Sequence, residues 1–372
     1  MLDDIKIKKQ SSVRSQISNS LRDAILRKKI PAGTRLPTTR EMAKQWQTPL
    51  ANVHAALAVL VKEGLLIRKQ GVGTIVSNLE RKLETIAIYV SQDLRNPASF
   101  FQRLMLGYLE EILIKEKIEC RIIYENRERN GLTHLAEMAE TRQIQGVIVP
   151  ATDRHQLPEL RKLPIPFACL TSSRIKNRIS VNSAGMLEKL IEAIKIQGGK
   201  KLGIISGQSD MENPQESGEI ERHEFYLKMF NALEAAGIEN RPEWNYFPFG
   251  NSGNSFLKSK KYNHFAYEAF NTIWSSKEKP DCLFAYPDDL IMGTVLAVTT
   301  NNIKVPDELK LIMHRNAGNE VLCPLPCYFI ENSVIDMARG LVQLIIDQFE
   351  GKEINQTEIE YELVQHQADI SK

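Results

Sequence analysis

Residues 34–76 read TRLPTTREMAKQWQTPLANVHAALAVLVKEGLLIRKQGVGTIV and contain two short helical patterns followed by two strand-like stretches. Thr38 and Glu41 have the spacing of a capping box, which predicts that the first helix begins at Thr38. Thr48 and Pro49 predict the start of a second helix, with a threonine N-cap and proline at the first helical position. Two helices joined by so tight a turn are typical of a helix-turn-helix.

A basic hairpin follows the second helix. Residues 65–69 and 74–76 have strand composition, and the Gly-Val-Gly sequence at 71–73 predicts the turn between them. Arg68, Lys69 and Gln70 are predicted at the tip of this hairpin, where cations would meet phosphates or enter a neighbouring minor groove. Apolar residues recur at every fourth position over 13–25, which predicts a further helix that closes the small core. These elements predict a winged helix-turn-helix DNA-binding domain over residues 1–77.

The same segment resembles the GntR family of bacterial regulators, and the matching runs are PAGTRLP at 31–37, RE at 40–41, AL at 56–57, EG at 63–64 and GVGTIV at 71–76. The resemblance implies that Arg40 contacts DNA, together with two arginines at the start of the second helix. Leu50 and His54 stand in place of those two arginines, so we expect a different operator sequence. Asn52 or His54 then becomes the candidate base reader, and a solvated surface imidazole is an equal alternative for His54. The predicted DNA-binding residues are Arg35, Thr38, Arg40, Leu50, Asn52, His54, Arg68, Lys69, Gln70, Gly71, Gly73 and Thr74.

Charge is divided unevenly along the chain. Residues 1–82 hold 16 of the 48 Lys and Arg residues and 6 of the 46 Asp and Glu residues, a net charge of +10. The remainder has a net charge of −8, which gives the overall +2. A basic end attached to an acidic body suits phosphate binding by counterion release at that end. A merely solvated surface could also be basic, but it would not predict the helix caps and the hairpin.

Length and composition restrict the rest of the chain. A sequence of 372 residues with 42% hydrophobic content exceeds one ordinary core and predicts more than one domain. No apolar run approaches a membrane span, and the first residues lack the apolar stretch of a signal peptide, so we expect a cytoplasmic protein without a membrane partner. The five cysteines form no CxxC pair, which predicts reduced thiols. Zinc binding through Cys323 and Cys327 is disfavoured by the neighbouring prolines and the lack of a second ligand pair, and we expect no metal and no cofactor.

A polar, charged stretch at 78–84 predicts a linker, after which strand and helix patterns alternate. The predicted strands are 86–90, 121–124, 146–150, 202–206 and 282–285, and the predicted helices are 101–117, 132–140, 183–197 and 288–300. Short apolar strands separated by amphipathic helices predict parallel sheets covered on both faces. The pattern restarts after Val181, so we expect an α/β effector-binding domain of two lobes over 85–372. Ligands of such sheets lie beyond the carboxyl ends of the strands.

Residues 85–372 resemble the effector domain of the lactose and galactose repressor family, which shares its fold with periplasmic sugar-binding proteins. The matching runs include DLRNPASFF at 93–101, QGVIV at 145–149, GGKKLGIISG at 198–207 and DDLIMG at 288–293. A GntR-type head on such a domain is similar to the arabinose repressors of AraR type. The resemblance implies that Arg222 and Asp288 bind effector hydroxyls from opposite lobes, with Asp93 and Phe101 as looser contributors.

Several positions depart from the pattern of that family, namely Val181, Phe225, Pro287 and Arg315. The family usually carries an acidic residue, a glycine, an asparagine and an acidic residue there. The departures predict a pocket that differs from a standard hexose site. Arg315 acting with Arg222 would favour an acidic or modified sugar, although a surface position is the commoner role for either arginine.

The helix predicted at 101–117 carries more apolar residues than one core face needs. We therefore expect a homodimer that reads a pseudo-palindromic double-stranded operator, although a thickly covered helix in a monomer is the alternative. The sequence predicts a non-enzymatic transcription regulator, a repressor of carbohydrate-utilisation genes, controlled by a sugar-like small molecule. The alternatives are a regulator whose cleft has lost or changed its ligand, a solute-binding receptor, and an enzyme. The receptor is disfavoured by the basic head and the missing signal sequence, and the enzyme by the lack of a Gly-rich phosphate loop.

Overall fold

The computed structural model describes residues 13–27, 29–77, 82–91, 100–125, 130–151, 156–173, 175–207, 219–247, 262–354 and 357–368, with the side chains of 219–224 excepted. The chain forms two compact units. Unit 1 comprises residues 1–83 with 350–352, and unit 2 comprises residues 84–349 with 353–372. The division falls within the stretch predicted as a linker, of which residues 78–81 lie outside the described ranges.

Unit 1 is a small helical core with an antiparallel ribbon. Its elements are α1 (Val13–Leu26), α2 (Thr39–Gln45), α3 (Leu50–Lys62), β1 (Leu66–Lys69) and β2 (Gly73–Val76). The inner stripe of α3 packs against Ile17 and Leu21 of α1, and Leu66 of β1 joins the same core. The predicted helix-turn-helix and hairpin are therefore present, with strand bounds that differ by one residue from those predicted.

The structure confirms one predicted helix cap and corrects the other. Thr38 is the N-cap of α2, since its N–H donates to Glu41 Oε2 at 2.7 Å and its Oγ1 accepts from the Glu41 N–H at 3.3 Å. The predicted cap at Thr48 is wrong, because Pro49 is the N-cap of α3 with φ −54° and ψ 139°. This extended proline places Thr48 one residue too early to cap. Thr48 Oγ1 instead accepts from the side chain of Asn52 at 3.2 Å.

Unit 2 is an α/β structure. Its described helices are α4 (Phe100–Lys115), α5 (Gly131–Glu140), α6 (Leu157–Leu160), α7 (Ser183–Ile196), α8 (Glu219–Ala235), α9 (Tyr262–Trp274), α10 (Ile291–Thr300) and α11 (Val334–Glu350). Its described strands are β3 (Thr85–Val90), β4 (Glu119–Tyr124), β5 (Gly146–Val149), β6 (Phe167–Leu170), β7 (Arg178–Val181), β8 (Leu202–Ser206), β9 (Asn245–Tyr246), β10 (Cys282–Tyr286), β11 (Lys310–Ala317), β12 (Cys327–Ser333), β13 (Thr357–Ile359) and β14 (Tyr361–His366). The helix predicted at 288–300 begins as a short 3-10 turn at Asp288–Leu290 before α10.

The strands of unit 2 form two sheets, each the centre of one lobe. The first lobe has the strand order β13-β7-β6-β5-β3-β4, and the second has β14-β12-β11-β10-β8-β9. Neighbours are parallel except at β12 and β14, which pair antiparallel. The expectation of parallel sheets is therefore wrong at this edge. The chain leaves β13 at the carboxyl edge of the first sheet and crosses at Glu360, so β14 departs from the carboxyl edge of the second sheet and runs against its neighbour.

Both sheets are covered on both faces, as predicted. In the first lobe, α5 supplies Leu135 to one core, and Ile345 of α11 lies so close to Gly146 that a Cβ there would stand 2.7 Å from Ile345 Cγ2. In the second lobe, one core includes Met313 and the other includes Ile312, because successive strand residues face opposite sides of the sheet. Each fully buried side chain of this kind contributes about 1.5–3 kcal/mol.

The cysteines are unpaired thiols, as predicted, with Cys120 half-buried and the other members of the set buried. Burial and the charge of Glu110 raise the pKa of Cys120 to about 11, so this thiol is not ionised at neutral pH. Within the described ranges, no helix is both long enough and apolar enough to cross a membrane.

Candidate nucleic-acid interface and effector cleft

Helix α3 is the candidate recognition helix, and its own sequence decides which side is exposed. Val53, Ala56, Leu57 and Leu60 are fully buried in unit 1, at the spacing of one helix face. The opposite face presents His54, and Leu50 one turn earlier is 48% exposed. An exposed apolar residue at the start of the helix could contact a thymine methyl group but cannot hydrogen-bond a base.

Two predicted DNA-binding arginines lie exposed outside α3. Arg40 is in the first turn of α2, which the Thr38 capping box holds in place. Arg35 forms a backbone bridge with Ile75 of β2, and its guanidinium lies over Gly73, with Arg35 Nε 3.3 Å from where a Cβ would stand. The backbone of Gly73 has φ +111°, a conformation that favours glycine for itself. Its role in the fold is therefore to shape the hairpin and to leave room for Arg35.

The predicted contact residues of the hairpin do not all lie at its tip. Lys69 and Gln70 are exposed beside the turn, where Gly71 has φ +74°. Arg68 lies one position farther from the tip, paired with Thr74 across the ribbon. Its guanidinium points toward the recognition helix, and Nη1 lies 3.2 Å from His54 Nε2. The expectation that Arg68 belongs to the tip is corrected, because strand alternation turns it toward α3.

In the first lobe, the carboxyl ends of β3 and β5 form a shallow cavity. It is lined by Gln102 and Leu106 from α4, by Tyr89 and Val90 at the end of β3, and by the residues that follow the two strands, namely Ser91, Pro150 and Ala151. Gln102 is only 8% exposed, and its Oε1 has no hydrogen-bond partner among the described residues. A buried carboxamide oxygen without a partner costs free energy, so it favours a ligand or water that donates to it.

In the second lobe, Asp288 is buried in the short 3-10 turn between β10 and α10. Its Oδ2 accepts hydrogen bonds from Asn319 Nδ2 at 2.7 Å and Asn316 Nδ2 at 3.0 Å, so neutral amides hold the carboxylate in place. The next residue, Asp289, has its pKa raised to about 7 by burial and by the charge of Asp288, against the opposing charge of Arg103 from α4. Asp289 therefore releases its proton at a higher pH than an ordinary aspartate does.

His314 is a buried polar residue that the sequence reasoning missed. It lies on β11 between the rings of Tyr286 and Tyr361, at centroid distances of 4.8 Å and 6.1 Å. Among the described residues, neither of its ring nitrogens has a hydrogen-bond partner of ordinary geometry, and the same holds for Oδ1 of its neighbour Asn332. Burial lowers the pKa of His314, while Asp288 and Asn332 oppose that shift. The sequence feature that could have identified His314 is its position within the otherwise apolar run of a buried strand.

The structure does not bring all the predicted effector residues to one site. Asp288 lies close enough to His314 for its charge to act on that ring. Phe101 is half-buried in the first turn of α4, one residue from Gln102. Arg315 is directed to the other face of the sheet, where it forms an ion pair with Glu331 and its guanidinium lies 4.0 Å from the ring centroid of Phe329. Asp93 and the side chain of Arg222 lie outside the described residues. The charge of Arg315 is neutralised locally, which removes its support for an acidic ligand.

Comparisons with known proteins agree with both units. Residues 13–76 match the model of the family described as bacterial regulatory proteins, gntR family. The NTD biosynthesis operon regulator NtdR of Bacillus subtilis (strain 168) is 24% identical over 284 residues, which cover 73% of this chain and 76% of that protein.

Solved structures are similar over most of the chain. A LacI transcriptional regulator from Bacillus cereus subsp. cytotoxis NVH 391-98 has a TM-score of 0.60 and 16% identity, and the similarity covers 78% of this chain and all of that one. The complex of the regulator CelR with cellobiose has a TM-score of 0.58 and 15% identity, and it covers 89% of this chain and 99% of that one. The chain thus combines a GntR-type helix-turn-helix domain at residues 13–76 with an α/β unit that has the two-lobed fold of LacI-type regulators.

Proposed function

We propose that this protein is a DNA-binding transcription regulator that represses carbohydrate-utilisation genes, and that a small sugar-like effector binds between the lobes of unit 2. The observation that carries DNA binding is the exposed face of α3 together with the cationic residues around it. Arg40, Arg68 and Lys69 are all exposed on a unit of strongly positive sequence. Such a surface suits a major-groove helix flanked by phosphate contacts.

A neutral, hydroxyl-rich effector is supported by the polar groups at the edges of the two lobes. Gln102 Oε1 in the first lobe and His314 and Asn332 in the second are buried and have no partner of ordinary geometry in the described structure. Each of these groups is uncharged when His314 is neutral, and sugar hydroxyls can donate to them or accept from them. The similar CelR structure is a complex with cellobiose. Because Arg315 is already paired, we favour a neutral sugar over an acidic one.

The proposed control is a shift between two arrangements of a homodimer. An effector that binds one arrangement of the lobes more tightly than the other changes the fraction of DNA-competent molecules. A ligand with equal affinity for both would change nothing. An activator would use the same device with the opposite preference, and reporter expression with and without the gene distinguishes the two.

DNA binding is tested by selecting duplexes from a random library with the full chain and measuring their affinity at several salt concentrations. We expect a selected pseudo-palindrome to bind at least about 1000-fold more tightly than random competitor, with affinity that falls as salt rises. Equal affinity for selected and random duplexes would overturn the proposal.

Effector binding is tested by melting the full chain with a panel of neutral sugars, including cellobiose, and of sugar acids. A neutral sugar should raise the melting temperature of the natural protein. Gln102→Met should stabilise the free protein by about 1 kcal/mol, because it removes an unpartnered buried oxygen, and should weaken the ligand-induced shift. Asp288→Asn should also weaken that shift, whereas Asp307→Asn, at an exposed aspartate, should not.

The effector proposal fails if Gln102→Met and Asp288→Asn both respond to the sugar as the natural protein does. It also fails if only sugar acids raise the melting temperature. Operator affinity without ligand should be unchanged in both variants, which separates a ligand defect from a folding defect.

A further inference from the structure

In unit 1, a contact between two side chains that are separated in sequence joins the recognition helix α3 to the hairpin. Arg68 and His54 are 14 positions apart, and Arg68 Nη1 lies 3.2 Å from His54 Nε2. Strand alternation explains the contact. Leu66 of β1 is buried in the core beneath α3, and Arg68, two residues later, is on the same side of the ribbon. Lys69 is then on the other side.

The direction of the hydrogen bond is fixed by chemistry. A guanidinium carries only donors, so Nε2 of His54 must accept, and its ring proton must lie on Nδ1. The imidazole therefore orients Arg68 through an acceptor nitrogen. Because Nε2 of His54 accepts from the guanidinium, this nitrogen is not presented to a base.

The contact brings a guanidinium to the exposed face of α3. His54 is one helical turn after Leu50, and neither of these side chains can make the paired donor contact that guanine accepts at O6 and N7. Arg68 can, because only one of its five N–H donors is directed to His54. Asn52 is a weaker candidate, since its Nδ2 already donates to Thr48 Oγ1 at 3.2 Å.

We propose that Arg68, oriented by His54, is a sequence-reading residue of this protein, and that it contacts a guanine edge in the major groove beside α3. The inference rests on the proposed DNA binding. It assigns base reading to a strand of the hairpin and makes His54 a positioning residue. Lys69, directed to the other side of the ribbon and exposed, is left as a phosphate contact and serves as the matched control.

The test uses the full chain and duplexes selected from a random library with the natural protein. Arg68→Ala should lower discrimination at one G·C pair of each half-site by roughly 5- to 150-fold. His54→Ala should weaken discrimination at that same pair, and His54→Gln, which keeps an acceptor, should restore part of it. Lys69→Ala should weaken binding to all duplexes by a similar factor and make the salt dependence less steep.

The outcomes separate this inference from the function on which it rests. If the natural protein selects no sequence, the proposed DNA binding itself fails. If it selects a sequence but Arg68→Ala weakens all duplexes equally, Arg68 is a phosphate contact and the inference is overturned. It is also overturned if His54→Ala changes a different base pair from Arg68→Ala, because His54 would then read DNA itself. Circular dichroism of each variant confirms that these exposed substitutions leave unit 1 folded.

Discussion

Two adjacent aspartates of unit 2, Asp288 and Asp289, lie in different surroundings. Asp288 is ringed by the amide donors of Asn316 and Asn319, which hold its carboxylate in place. Asp289 is half-buried beside the charge of Asp288, and Arg103 only partly offsets the effect of desolvation and of that charge, so the pKa of Asp289 rises to about 7. The half-buried Tyr262 has its pKa raised to about 12 by desolvation and by the charge of Asp289. Asp289 is therefore a carboxyl group that exchanges its proton near neutral pH.

The raised pKa of Asp289 predicts that the stability of the protein depends on pH. Because the pKa of Asp289 is higher in the folded state than in the unfolded state, its contribution is fully present below about pH 4 and is lost as pH rises to about 7. Asp289→Asn removes that loss. The unfolding free energy of the variant relative to the natural protein should therefore rise by roughly 4 kcal/mol between pH 4 and pH 8. Denaturant unfolding followed by fluorescence at both pH values measures it, and a difference that does not change with pH would refute the assignment.

At the scale of elements, close packing depends on small residues at chosen positions. Helices α9 and α10 approach so closely that a Cβ at Gly293 would stand 2.1 Å from the backbone oxygen of Asn263. That oxygen belongs to the backbone, so it cannot move aside as a flexible side chain could. The approach fixes α10 against the second sheet and positions Asp288, in the short turn that precedes it, at the carboxyl edge.

Gly293→Ala should therefore destabilise unit 2 by about 1–3 kcal/mol or more, through overpacking between the two helices. Gly107, in the middle of α4, has no neighbouring atom within 4 Å of the point where a Cβ would stand. Gly107→Ala should leave the fold intact and stabilise it by about 0.5–1 kcal/mol, through helix propensity alone. Thermal unfolding of both variants at one protein concentration tests the pair. Equal effects of the two substitutions would show that α9 and α10 are not held this closely.

Unit 2 exposes large apolar side chains on several of its elements. Ile114 on α4 is 66% exposed, and the edge strand β4 presents Ile122 and Tyr124. Helix α10 presents Met292 and Leu296 at the spacing of one helix turn. Apolar groups exposed in this density indicate association, and an open sheet edge is usually covered in a native assembly. A second copy of this chain is the partner that a two-fold operator calls for.

We therefore predict a dimer whose interface includes these residues. Ile114→Glu and Leu296→Glu should shift the protein toward a monomer, because each buries an unpaired carboxylate in the interface. Ile196→Glu is the matched control, since Ile196 is 57% exposed on a different helix, α7. Sedimentation velocity at micromolar concentration distinguishes the forms. A natural protein that sediments as a monomer at all concentrations would contradict the prediction, and so would dissociation by Ile196→Glu alone.

Local patterns in the sequence determined most of the elements of this fold. Apolar residues with helix or strand periodicity, and the capping box at Thr38, depend only on neighbours a few positions away, so α7, β8 and the hairpin were predicted within a residue or two. The cap at Thr48 failed because the backbone of Pro49, rather than the pattern, decided where the helix begins.

Which side chains meet depended on how the elements pack against one another. The contact of Arg68 with His54, the ion pair that neutralises Arg315, and the burial of His314 between two tyrosine rings each depend on how separate elements pack together. The antiparallel direction of β14 likewise follows from where the chain crosses between sheets. Periodicity reports which side of an element is buried, but hydrogen bonds and ion pairs depend on ångström distances between elements, which only the packed fold sets.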